Sequence, residues 1–473
     1  MESMLFIPEI WVLLGSLILF LISVMDGSGR GARFWAGLIA VGAILLTAAT
    51  FFSEGELFFA AYKVDLFSQL FKLLVVTGFG VVVLLGQDLR GVDEKIKPEY
   101  YLFLLLSTLG LMMVVSCVEL LSLFVALELS SFALYLLVPM RDERTGTRIQ
   151  MESAAKYVIF GVMATGIMLF GMSYLFGLTG TTYLAELLPK LHGIGMQPAA
   201  VIGITMVLAG FFFKLGLFPF HFWLPDVYQG ASNETTAFIA SVPKLAAVAL
   251  IIRGAALYLP DGQAAGSLIA VLAVVSMFYG NLLALVQKDL KRMLGFSGIA
   301  HAGYLMLGVL IFKESGYATS VYYVIGYLVM NLAAFLVICN VARQGENLLV
   351  EDLSGLSRRA PLMAAILAVA MFALAGIPPF VGFMGKFMLL AGALQAGHLA
   401  LVVMAALNTA ISIYYYLSVV RVSYCSDSDD VETIQVDGLV KLVGVLLVAV
   451  IIFMGVAPNT ILELAAEAVR NIL

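Results

Sequence analysis

Lys214 stands in residues 211–226, FFFKLGLFPFHFWLPD, inside an apolar segment long enough to cross a bilayer. Gly216, Pro219 and Pro225 follow it and break the helix that carries it. Residues 372–387, FALAGIPPFVGFMGKF, hold a second break and a second lysine, Lys386. Interrupted apolar segments in both halves of a membrane chain point to an ion pathway near the midplane. Lys72, Lys156 and Lys244 also fall within apolar runs, and an ammonium at a bilayer centre costs about 2.5–3.5 kcal/mol on insertion scales. Five such groups facing lipid would make insertion unfavourable, so they must face the bundle interior, a carboxylate or water. Glu128, midway along LSLFVALELSSFALYLL, is the carboxylate placed to answer them.

The chemistry these residue types support is proton transfer. Burial disfavours charge and an opposite charge nearby restores it, so a buried Glu–Lys pair changes proton occupancy when its neighbours move. Moving a charge against about 100 mV costs about 2.3 kcal/mol, so a driving force is needed. The helix breaks free backbone groups to hold water there. His221, after the first break, and His301, in GFSGIAHAGY, suit a relay, as do Lys156 and Lys72. The structural alternative for Glu128 is an ion pair or helix–helix hydrogen bond; for either histidine it is a ring hydrogen-bonded between helices. Tyr157, Ser297 and Tyr304 extend a water path or simply pack. Glu119 and Asp65 lie near span ends and read as snorkelling or capping residues, and Asp226 as terminating or capping the piece after the first break.

The elements that must position these groups are transmembrane helices. Of 473 residues, 62% are hydrophobic and 12% charged, against about 25% charged in soluble domains. Apolar runs of about 20 residues, without the alternation of barrel strands, make the chain an all-α polytopic membrane protein. Fourteen spans fit, at about 5–25, 34–53, 66–86, 100–117, 120–139, 150–176, 199–220, 233–258, 265–287, 292–312, 316–342, 360–397, 398–421 and 437–458. The first run lacks a basic leader and a cleavage site, so it is expected to stay as an anchor. With the N-terminus outside, the inner loops hold 16 Lys and Arg, Arg144 among them, against five on the other side. That asymmetry places both termini outside.

Nothing in the sequence supplies energy. The three cysteines are scattered, the four histidines form no axial-ligand pairs, and no phosphate-cradling glycine loop occurs. No cofactor or metal site is expected in this chain. The net charge of −5 gives no ground for nucleic acid as a partner.

FFFKLGLFPFHFWLPDVYQGA, SVPKLA, QKDLKRMLGFSGIAHAGYLM and GIPPFVGFMGKF closely resemble the antiporter-like membrane subunits of proton-pumping NADH–quinone oxidoreductase, respiratory complex I. The resemblance spans essentially the whole chain. LFVALELSSFALYLL and the run from Glu152 resemble the subunit N type; the long extension of L-type subunits is missing, and Lys386 stands where M-type subunits carry glutamate. The resemblance implies three N-terminal helices over 1–99, two inverted five-helix repeats over 100–258 and 259–424, each with a broken helix, and a C-terminal helix and tail over 425–473. It implies two proton half-channels, with Glu128 as the paired carboxylate, Lys214 as its partner, Lys244 as central relay and Lys386 on the second-half path. His301 becomes a link between the channels. FMN, iron–sulfur clusters and quinone are expected in partner subunits: an M-type subunit, small membrane subunits and a peripheral redox arm. The expected location is a bacterial inner membrane with both termini periplasmic. Two departures from the family pattern stand out: Ala231–Ser232 in place of Ala–Pro, and Ser297–Gly298 in place of paired serines. A cation/proton antiporter or membrane-bound hydrogenase subunit is the alternative, since both share the broken-helix motifs, and an inert scaffold is a third reading.

Overall fold

In hydrocarbon every backbone polar group must be paired within its own segment, and the apolar runs accordingly become helices. A computed structural model describes residues 4–25, 29–86, 89–142, 148–194, 197–255, 263–426 and 433–472; Arg144 lies outside them. The first half contains α1 (Ile7–Met25), α2 (Gly29–Ala49), α3 (Leu66–Leu85), α4 (Lys97–Val114), α5 (Leu120–Leu137), α6 (Ile149–Thr179), α7 (Leu184–Ile194), α8 (Pro198–Leu215), α9 (Trp223–Gly230) and α10 (Asn233–Ala255). The second contains α11 (Gln263–Ala284), α12 (Leu290–Val309), α13 (Glu314–Val341), α14 (Leu356–Arg359), α15 (Pro361–Ala375), α16 (Val381–Gln395), α17 (Leu399–Cys425), α18 (Gly438–Val456) and α19 (Asn459–Arg470). A short antiparallel hairpin, β1 (Gly55–Leu57) and β2 (Tyr62–Val64), sets Glu56 opposite Lys63.

Eleven of the described helices are long and apolar enough to cross a membrane. The other three expected spans correspond to α4, to α12 and to the pair α15–α16. Charges open two of them, Lys97 and Glu99 on α4 and Lys291 and Arg292 on α12, and α15 and α16 have 15 residues each. α10 and α13 form the centre, buried almost all round, as helices without a polar face must be. α10 packs on α3, α8 and α13; α13 packs on α10, α12, α15, α16, α18 and α19. The outer helices α1, α2, α17 and α18 bury only one side.

Both breaks close in the same way. α8 ends at Gly216, whose φ of 77° lies in the left-handed region that glycine enters freely; α15 ends at Gly376, with φ 88°. Gly216 and Leu217 donate back to Phe212 O, and Gly376 and Ile377 donate back to Phe372 O. Three residues after each glycine stands a proline in a cis peptide, Pro219 and Pro379. At the second break the last carbonyls of α15, those of Leu374 and Ala375, accept from Lys386.

Candidate proton-transfer site

Lys214 occupies the last turn of α8 and is buried. Its Nζ donates to Ser131 Oγ at 3.0 Å and to Ser130 Oγ at 3.3 Å, both on α5. The direct Glu128–Lys214 ion pair that the resemblance implies is absent, and helix phase explains why. At 100° per residue Glu128 shares a face with Leu121, Val125, Phe132 and Leu136, all exposed, whereas Ser130 and Ser131 turn toward Lys214. Glu128 is half-buried, and its Oε1 has no hydrogen-bond partner.

Lys386, on α16, is held by the second break itself. Its Nζ donates to Ala375 O at 3.0 Å and Leu374 O at 3.1 Å, the free carbonyls of the last turn of α15. A cation at a helix C-terminus meets the negative end of the helix dipole. The ring of Tyr304 lies 4.9 Å from the ammonium.

Lys244 lies between these two in the chain, on the wholly buried α10. Its Nζ donates to Gly298 O and to the Tyr327 hydroxyl, each at 3.1 Å, and sits 4.8 Å from the Tyr327 ring. His301 joins the same cluster: its ring centroid is 5.0 Å from that of Tyr327. His301 Nδ1 is 2.7 Å from the Tyr323 hydroxyl and Nε2 is 3.1 Å from that of Tyr416. Tyr416 donates its single hydroxyl proton to Ser297 at 2.8 Å, so its oxygen accepts from Nε2–H, and Nδ1 of a neutral His301 accepts from Tyr323. Among the described residues none of Lys214, Lys244 and Lys386 forms an ion pair; neutral oxygens hold all three ammonium groups.

The remaining candidates are placed differently. Lys72 is fully buried, 2.8 Å from Glu9 Oε1, which also accepts from the Tyr62 hydroxyl at 2.8 Å. Lys156 is not an interior lysine: its side chain is 39% exposed and bridges Glu152 and Asp226, each at 2.7 Å. Two turns from its helix start, it reaches the polar end of the bundle. Asp226 does not cap α9, since Phe222 holds that position; it takes Lys156 and, at 2.5 Å, Arg292, tying α6, α9 and α12 together. Burial alone would raise the Asp226 carboxyl, but hydrogen bonds from Lys156 and Arg292 outweigh it and hold it below the usual carboxylate range. The clamp is therefore present at neutral pH and is lost as pH falls through that lowered range. His221 packs against Phe218 and Phe222, edge-on to Tyr279, and neither ring nitrogen has a hydrogen-bond partner. Asp65 and Glu119 do cap α3 and α5.

A family described as NADH:quinone oxidoreductase/Mrp antiporter, transmembrane, matches residues 117–412. The chain is 48% identical over 468 residues to NADH-quinone oxidoreductase subunit N 2 of Opitutus terrae, covering 99% of this chain and 98% of that one. The chain belongs to the subunit N family. A chain of respiratory complex I from Thermus thermophilus is 30% identical with TM-score 0.84, covering 97% of this chain and 99% of that one. A chain of the Mrp complex from Dietzia sp. DQ12-45-1b has TM-score 0.88 at 21% identity, over 100% of this chain and 98% of that one, a likeness of fold alone.

Within this subunit N fold both sequence departures have a structural role. Ser232 Oγ accepts from the Thr235 amide at 3.2 Å and shares a hydrogen bond with the Thr235 hydroxyl, opening α10. At Gly298 a Cβ would stand 2.7 Å from Lys244 Nζ and 3.0 Å from the Tyr327 hydroxyl, so glycine keeps that space for the ammonium. Sequence reasoning missed Glu9, although it lies within the first apolar span. It also missed Glu234, buried with an unpartnered Oε2, and took Lys291 for a loop residue, whereas Lys291 is buried and donates to Ala231 O at 2.7 Å. Tyr323, Tyr327 and Tyr416 carried no signal among the 19 tyrosines of the chain.

Proposed function

We propose that this subunit N chain moves protons across the membrane through Glu128, Lys214, Lys244 and Lys386, driven by electron transfer from NADH to quinone in partner subunits. The observation that carries this reading is that the three buried lysines are held by neutral oxygens. No carboxylate is left unpaired when such a lysine gives up its proton, so occupancy follows nearby charge and hydration. His301, hydrogen-bonded between two tyrosines, supports its role as link between the halves. The matching closures at Gly216 and Gly376 support two repeats over 100–258 and 259–424, after three helices over 1–99 and before a terminal part over 425–473. FMN, iron–sulfur clusters and quinone belong, on this reading, to the peripheral arm and to neighbouring subunits, M-type and small. The loop charges support periplasmic termini in a bacterial inner membrane.

Two measurements test this. Purifying the native complex should bring down flavin and iron–sulfur subunits; recovery of other antiporter subunits alone would favour the cation/proton antiporter instead. Lys244→Met keeps the volume and removes the proton carrier, and is expected to lower NADH-driven proton pumping in proteoliposomes roughly tenfold or more. Undiminished pumping in an assembled complex would leave the chain as a scaffold.

A further inference from the structure

α13 carries Ser315, Thr319, Tyr323, Tyr327 and Asn331, polar residues repeating every fourth position along the helix. Residues four apart are neighbours on a helix surface, so these form one continuous stripe. Its inner part reaches the centre of the site: the Tyr327 hydroxyl takes Lys244 Nζ at 3.1 Å, and the Tyr323 hydroxyl meets His301 Nδ1 at 2.7 Å. Its outer part reaches water. Ser315 and Thr319 line an open pocket of about 440 Å³ together with Lys313, Glu314, Leu462 and Ala466, the last two on α19. Two hydroxyls of α13 off the stripe are committed elsewhere, Ser320 to Leu305 O and Tyr322 to Met454 O.

We propose that this hydroxyl stripe, from Tyr327 through Tyr323 and Thr319 to Ser315, carries protons between the Lys244–His301 centre and the pocket beneath α19. The inference rests on the proton-translocation reading above. A proton held at His301 Nδ1 passes to the Tyr323 oxygen as the hydroxyl proton already there leaves on the far side. His301 returns to the neutral ring and one proton moves outward. Helical side chains lean toward the N-terminus, so Tyr323 leans toward Thr319 and the pocket. Tyr323 and Thr319 stand four residues apart, neighbours on the helix surface, and the proposed relay passes between their hydroxyls through water. Thr319 donates to the Ser315 backbone carbonyl at 2.7 Å, so its oxygen is left to accept; as it does, its own proton turns from that carbonyl to water in the pocket that Thr319 lines. α19 lines one side of the pocket and is tied to α13 by Arg470 to Glu314 at 2.6 Å, an exposed pair of the kind that opens at little cost.

The test uses the assembled complex in proteoliposomes, with assembly checked on native gels. Tyr323→Phe and Thr319→Val are each expected to lower the rate of NADH-driven proton pumping roughly tenfold and to raise its solvent isotope effect, while Thr319→Ser restores both. Tyr322→Phe removes a buried hydroxyl from the same helix off the stripe and is expected to pump normally. Wild-type pumping and isotope effect in Tyr323→Phe and Thr319→Val, or an equal loss in Tyr322→Phe, overturns the proposal. Lys244→Met, run in parallel, separates the two ideas. Loss there with a normal Thr319→Val removes only the stripe, and normal pumping there removes the translocation reading itself.

Discussion

Lys214→Ala is expected to lower coupled proton pumping and NADH–quinone turnover by roughly tenfold or more, with the chain still in the membrane and the complex assembled. Insertion is not at risk, because removing a central ammonium takes away about 2.5–3.5 kcal/mol of insertion cost. Little is left stranded locally. Lys214 has no ion-pair partner, and Ser130 keeps its hydrogen bond to Ser107 at 3.1 Å while Ser131 keeps Leu127 O at 2.9 Å. The expected deficit is therefore one of proton carriage rather than folding. Lys214→Met, which refills the volume, should share the deficit; recovery of pumping in that variant would mean the alanine had acted through a cavity. A normal proton-to-electron ratio in the assembled alanine variant would refute the role given to Lys214.

Asp65→Ala should act in the opposite way, on stability rather than on proton carriage. Both Asp65 oxygens lie 3.0 Å from an Arg253 guanidinium nitrogen, both side chains are nearly inaccessible, and Arg253 Nε also donates to Val115 O at 3.2 Å. This one group thus ties α3 to α10 and to the end of α4. Removing one partner of a buried pair leaves an uncompensated charge, at about 3–5 kcal/mol. Asp65 also caps α3 through the Ser68 amide at 2.7 Å, and losing a cap adds about 1 kcal/mol. The measurable result is a lower thermal-inactivation temperature of the purified complex and less chain retained in the membrane. Asp65→Asn keeps a cap while losing the charge, so it should fall between wild type and alanine. Equal stability of all three would show that the pair contributes nothing.

The Arg253–Asp65 bridge marks where one-dimensional reading stops. Asp65 lies just before the expected span 66–86, where it reads as a snorkelling or capping residue, and Arg253 near the end of the span 233–258, but nothing local pairs two residues 188 positions apart. Lys156 and Lys72 make the same point. Each is a lysine inside an apolar run, yet Lys156 reaches the polar end of the bundle beside Asp226, whereas Lys72 is sealed against Glu9. Hydropathy cannot separate them, because the difference lies in which helix stands opposite.

What the sequence determined by itself was the class of the protein, the two broken helices and four buried lysines, Lys72, Lys214, Lys244 and Lys386; Lys156 proved partly exposed and the buried Lys291 was not among those expected. A charge or a glycine–proline break inside twenty apolar residues is an anomaly that burial energy makes visible along the chain. Tertiary structure alone decided their partners: serines rather than Glu128 around Lys214, the freed carbonyls of α15 around Lys386, and a tyrosine–histidine cluster around Lys244. The physical reason is that helix phase and the packing of distant segments set these contacts. Tyr416 reaches Ser297 across 119 residues, and a tyrosine in an apolar run looks the same whether it fills a core or carries a proton.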